Sequence, residues 1–177
     1  ICHPTTLMNP ELLQKIKSPT SPWTPGPRTL LRLTGADRLR FLNGQVTQDL
    51  KKLPASHAVR SAITSAKGRL EADLHIAATP DSLLLETDFS LRESIRSRIE
   101  KFIVADDVTL EDISSSYTLA HYTALSAPPA DAPKDAVSFL CPRFREPGLD
   151  LWIPATSPWR PKSLPLSDWE PLRIARG

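Results

Sequence analysis

Apolar and polar positions change their period along this chain, and each change marks an element. The run "RTLLRL" (28–33) reads as a first strand. In "ADRLRFLN", Ala36, Leu39 and Leu42 fall on one helical face with Phe41 at its edge. Thr34 is placed to cap this two-turn helix, Asp37 adds charge to its first turn, and Gly44 stands where a left-handed residue would end it. From His57 the period becomes two: "HAVRSAITSAKGRLEADLHIA" predicts two strands joined near "SAKG", with Gly68 in the turn. In the second strand Leu70, Ala72, Leu74 and Ile76 alternate with Glu71, Asp73, His75 and Ala77, which gathers the ionisable groups on one face. "SLLLET" (82–87) is a third strand. Ser90 opens the clearest helix, a capping box "SLRE" with Glu93. Leu91, Ile95, Ile99, Phe102 and Ile103 are its buried stripe, and Arg92, Arg96, Arg98 and Lys101 its outward face. "DDVTLEDI" and "YTLAHYTAL" follow as two more strands. The series strand, helix, strand pair, strand, helix, strand predicts an α+β fold, a mainly antiparallel sheet packed with helices.

Outside this region the pattern weakens. "ELLQKIK" is a short helix candidate and "SPTSPWTPGP" an extended connection. "SAPPADAPKDA" reads as a linker, "VSFLCPRF" and "LDLWIPA" as a hairpin, and "LSDWEPLRIARG" has helix-start chemistry at Ser167. Proline follows the same division: six fall in residues 4–27 and five in 154–171, but only Pro80 in 55–127. The expected organisation is a Pro-rich N-terminal arm (1–27), an α+β domain (28–125), and a linker, hairpin and start of a second, incomplete domain (126–177).

Composition removes several functions. A formal charge of +2 with acids and bases interspersed argues against a nucleic-acid partner. No apolar run approaches the ~18 residues of a membrane span, so no membrane partner and a cytoplasmic location are expected. Cys2 and Cys141 read as unpaired thiols, and four scattered histidines form no legible metal site. Six glycines offer no Gly-rich phosphate loop, and no "GxSxG" introduces a nucleophile. Asp106 and Asp107 sit at a helix-to-strand junction and read as caps. Gln45, Thr47 and Asp49 read as turn-forming hydrogen bonders. The face carrying Glu71, Asp73 and His75, with Arg60 across the hairpin, is either a solvated sheet face or a small-ligand site, and the residues alone leave both open.

"LLRLTGADRLRFLNGQVTQDL", "SAITSAKGRLEADLHI" and "SLRESIRSRIEKFIVADDVTLED" resemble the N-terminal region of YgfZ-type folate-binding proteins, relatives of the glycine cleavage aminomethyltransferase, or T-protein. The form "GADxxxFLxGQVTxDL" fits the YgfZ branch better. The likeness covers about 28–125 and extends thinly to "WEPLRIARG". It implies α+β domains arranged in a ring around a tetrahydrofolate site, with Asp73 on the T-protein's catalytic position, where N10 of the folate is positioned or activated. It places Arg60 where the T-protein has a folate-contacting Tyr, and His75 on a neighbouring contact. The family's "KGCYxGQE" signature does not occur in these 177 residues, and neither cysteine substitutes for its Cys. The resemblance thus implies a tetrahydrofolate-binding protein that assists iron–sulfur cluster assembly or repair in client proteins. The alternatives are a folate-dependent aminomethyltransferase with Asp73 as its key carboxylate, or a non-catalytic interaction module without a complete folate site.

Overall fold

A computed structural model of the chain describes residues 10–11, 22–123, 125–143 and 147–162. Five strands, β1 (Arg28–Thr34), β2 (Ala58–Thr64), β3 (Leu70–Ala78), β4 (Leu83–Asp88) and β5 (Thr109–Asp112), form a sheet of order β2-β3-β4-β1-β5. Every neighbouring pair is antiparallel. β4, at the centre, is buried from Leu83 to Thr87, as its nearly continuous apolar run requires of a strand covered on both faces. Helices α1 (Arg38–Asn43) and α2 (Arg92–Glu100) cover one face, over a core that includes Leu33, Leu42, Leu74, Leu85, Ile95 and Ile99. A second antiparallel sheet, β6 (Tyr117–Thr123), β8 (Gly148–Pro154) and β7 (Val137–Leu140), packs on part of the other face. Leu30, Ala58, Ala77, Leu84, Phe139 and Trp152 fill the space between the sheets. The fold is α+β and mainly antiparallel, and the expected hairpin is the β7–β8 pair.

The local start and stop signals work differently from their sequence reading. Thr34 belongs to β1 and caps nothing; Asp37 precedes α1 without a side-chain cap bond to the helix. Asp37 instead ties this corner to the chain before β5. Its carboxylate accepts from the Asp107 N–H at 2.9 Å, and the Asp107 carboxylate accepts from the Ala36 N–H at 3.0 Å. Gly35, at φ +103°, lies so close to this strand that a Cβ would stand 2.1 Å from the Asp107 carbonyl oxygen. Gly44 is right-handed at φ −80°, so it ends α1 without the left-handed turn expected of it. The expected capping box at Ser90 does not form. Asp88 reaches Ser90 first, accepting from its N–H at 3.0 Å and its hydroxyl at 2.7 Å, and this draws Phe89–Leu91 into a 3-10 turn before α2. Phe102 is exposed, and Ile95 and Ile99 are the fully buried part of the predicted stripe. Most of the helix candidate "ELLQKIK", the stretch containing Ser167, and Cys2 lie outside the described residues.

The polar loop after α1 is structural, as its turn chemistry suggested. The Thr47 N–H donates to the Ala62 carbonyl at 2.9 Å, and the Thr47 hydroxyl accepts from the Ala62 N–H at 3.0 Å, so the loop closes part of the edge of β2. Asp49 accepts from the Lys51 N–H, and Asn43 from the Leu50 N–H.

The two glycines make opposite predictions. Gly35→Ala combines a forbidden φ with a backbone clash and should destabilise the fold by more than about 1 kcal/mol. Gly44→Ala, whose Cβ meets nothing nearer than 3.5 Å, should stabilise it by about 0.4–1 kcal/mol. Urea unfolding midpoints of the two variants check both signs.

Candidate functional site

The first sheet's face toward the second sheet is best read in rungs, because directly opposed residues in antiparallel strands share a face. One rung is Ala58–Ala77–Leu84, which is apolar and lies in the core between the sheets. The next is Arg60–His75–Glu86–Leu30. Beyond it stand Ala62 opposite Asp73 and Asp88 opposite Arg28. The face therefore passes within three rungs from a covered apolar patch to an open charged shelf. Arg60 and Asp73 stand on that shelf, and His75 lies at its covered edge.

Glu71 is not with them. Ile63 pairs with Ala72 and Thr64 with Leu70, so Glu71 is the extra residue of a β-bulge. The bulge turns Glu71 to the helix side, where it pairs with Arg98 at 3.3 Å. It also breaks the alternation that would have buried Leu70, which is 66% exposed. Arg98, expected to point outward, is thus half-buried and also donates to Gln45 Oε1 at 2.9 Å.

On the open part of the shelf Arg60 grips Asp73. Its Nε lies 3.0 and 3.1 Å from the two carboxylate oxygens and its Nη2 2.7 Å from Oδ2. The side chains are 57% and 45% exposed, so solvent reaches both. Such an exposed pair contributes at most about 1 kcal/mol to folding. The Thr87 hydroxyl donates to the Asp73 carbonyl at 2.7 Å and fixes the backbone beneath the carboxylate.

His75 belongs to a buried network that the sequence reading did not identify. Glu86 is fully buried, and Arg143, from the turn after β7, donates to its Oε2 at 2.6 Å. The same guanidinium holds Asp150 of β8 at 2.7–3.0 Å. Asp150 in turn contacts His121 Nδ1 of β6 at 2.8 Å. Arg28 of β1 pairs with the other oxygen of Glu86. His75 Nδ1 stands 3.2 Å from both Glu86 and Arg143. Burial alone would raise the Glu86 carboxyl, but the charge of Arg143, with help from His75 and Arg28, holds it at about 2. The same balance holds Asp150 well below the usual carboxylate range. Burial lowers His121, and its bond to Asp150 only partly offsets this. Glu86, His121 and Asp150 do leave a trace in the sequence, because each is a lone ionisable residue inside an apolar strand: "LLLET", "LAHY" and "LDLWI".

A hollow of about 300 Å³ beside the second sheet is lined by His57, Leu140, Cys141, Pro142, Pro147 and Gly148, among others, and contains none of the three candidates. Cys141 is a buried free thiol whose burial pushes its pKa far up, which leaves it unreactive.

No family model matches the chain. Over 82 residues, 46% of this chain, it is 35% identical to the "tRNA-modifying protein YgfZ" of Yersinia pestis (strain Pestoides F) and to that of Yersinia pseudotuberculosis serotype O:3 (strain YPIII). The protein of the same name from Yersinia enterocolitica is 33% identical over 81 residues. This sequence is YgfZ-like. The matched stretch spans about a quarter of those relatives' length, 25% for the first. In fold the chain resembles the glycine cleavage system aminomethyltransferase T of Bartonella henselae, with a TM-score of 0.67 at 11% identity over 82% of this chain and 45% of that one. No helix among the described residues is long and apolar enough to cross a membrane.

Removing the central guanidinium should be costly. Arg143→Met leaves two carboxylates buried without their main partner and should lower stability by about 3–5 kcal/mol, read from urea unfolding at neutral pH. The wild type should also lose stability in acid in two stages. His121 has a lowered folded pKa, so the unfolded chain takes up a proton that the native state refuses once pH falls below its ordinary 6.5. Glu86 adds a second loss between its ordinary 4.5 and its folded value of about 2. Urea midpoints between neutral pH and pH ~3 should fall throughout, more steeply below ~4.5; a flat profile would contradict the network.

Proposed function

We propose that the chain is part of a tetrahydrofolate-binding protein of the YgfZ type, and that the shelf carrying Asp73, Arg60 and His75 is its contribution to the folate site. The carrying observation is the placement of Asp73. It sits in a chain that is YgfZ-like over 82 residues, in a fold like that of the T-protein, at the open end of a face partly covered by the second sheet. A carboxylate with a fixed backbone and solvent access can accept from ring or bridge N–H groups of a pterin. Aliphatic surface from Ala62 lies directly beside it.

The physiological role we infer is assistance to iron–sulfur cluster assembly or repair in client proteins. The relatives' designation as tRNA-modifying makes enzymes of tRNA modification one class of client. The aminomethyltransferase alternative asks the same Asp73 carboxylate to position or activate a folate nitrogen, which requires Arg60 to leave it just as folate binding does. The three proposed segments are a Pro-rich arm (1–27), an α+β domain that supplies the shelf (28–125), and a linker, hairpin and start of a second, incomplete domain (126–177), from which Arg143 reaches Glu86.

Titration with tetrahydrofolate under reducing, oxygen-free conditions tests the reading. The wild-type protein should bind, and Asp73→Asn should bind at least about tenfold more weakly, the worth of one charged hydrogen bond. Absence of binding at millimolar ligand would remove the folate assignment.

A further inference from the structure

We infer that Arg60 is an internal competitor for the ligand, a positioning residue that holds Asp73 closed until an N–H donor displaces it. This deepens the folate reading above and rests on it.

A carboxylate has room for about four hydrogen bonds, and the guanidinium fork directs three contacts at Asp73, two from Nε and one from Nη2. The fork covers both oxygens from the β2 side. Arg60 sits diagonally across from Asp73, because its own partner across the strands is His75 and that of Asp73 is Ala62. To reach the carboxylate the guanidinium must lie along the face above Ala62, over the surface a flat ligand would use. With the two side chains 57% and 45% exposed, rotation of Arg60 into solvent frees the carboxylate at small cost.

The charges beside the pair fit the same picture. Asp88, one strand further on, is engaged by Arg28 and by Ser90, and Glu86 is buried beneath Arg143. Among the carboxylates of this shelf, Asp73 is thus the one whose partner can swing into solvent. A ligand N–H that binds Asp73 replaces the Nε–H and Nη2–H of Arg60, and the released guanidinium is hydrated. The apparent affinity is the intrinsic affinity multiplied by the fraction of molecules in which the pair is open.

The test is a double-mutant cycle read by tetrahydrofolate titration of four proteins: wild type, Arg60→Gln, Asp73→Asn and the double variant. Arg60→Gln should tighten binding by about two- to fivefold at low salt, the range set by an exposed ion pair. The gain should shrink at high salt, where screening already loosens the pair, and it should vanish in the Asp73→Asn background. If Arg60→Gln binds no more tightly than wild type, the inference is overturned while the folate reading stands. A gain that persists without the Asp73 charge also overturns it, because Arg60 would then act elsewhere. If none of the four proteins binds, both the inference and the folate reading fall.

Discussion

The contact between Arg143 and the two buried carboxylates Glu86 and Asp150 governs this structure. Glu86 belongs to the central strand of the first sheet and Asp150 to the central strand of the second, so one guanidinium joins the middles of both layers. Desolvating these ions is expensive, and their attraction repays the cost only while the geometry is complete. Arg28 supplies the second positive charge at Glu86, and His121 meets the second carboxylate. The close approach of Gly148 follows from the same demand: a Cβ there would stand 2.6 Å from the His121 ring, so β8 can carry Asp150 to His121 only with glycine at that position. The network does not add stability in proportion to its number of bonds. Its effect is to make one arrangement of the sheets far better than any shifted one, since a slip would strand charges in the interior.

That registration decides where the first sheet stays covered and where it is open. Ala58, Ala77 and Leu84 are under the second sheet, the Glu86 rung is sealed by Arg143, and the following rung with Asp73 is free. The bulge at Glu71 reinforces the division. It sends one carboxylate to Arg98 on the helix side and leaves Asp73 without an acidic neighbour on its own strand. The loop after α1, through Thr47, then closes the edge of β2 beside Ala62.

Much of this was legible in the chain. Period-two alternation in "LEADLHIA" located β3 and put Asp73 and His75 on one face, and the apolar run at 82–87 located β4. Local capping signals were less reliable, because other partners outcompete them: Asp37 bonds 70 residues away to Asp107, and Asp88, only two residues back, takes Ser90 before Glu93 can. The bulge could not be read, since nothing in the Glu71 side chain requires one. Arg143 could not be read either. It lies in a turn, where an arginine is unremarked, and its role depends on a pairing of sheets that no short-range pattern encodes. The lone acids Glu86 and Asp150 inside apolar strands are a trace of the network, but they do not say which cation meets them.

The two arginines that hold Asp73 and Glu86 show how burial turns the same chemistry to different ends. Arg143 is nearly fully buried, and releasing it would leave two acids unsolvated, so it acts as a fixed part of the scaffold. Arg60 also faces a carboxylate, yet water stands ready to replace it on both partners, so its bond is weak and exchangeable. A binding face needs both kinds. The rigid pair keeps β3, β4 and β8 in register and so fixes where the Asp73 carboxylate stands. The labile pair keeps that carboxylate hydrogen-bonded in the absence of ligand without committing it. The boundary between covered and open surface on this sheet is thus set by solvent access, and it falls between His75 and Asp73, two residues apart on one strand.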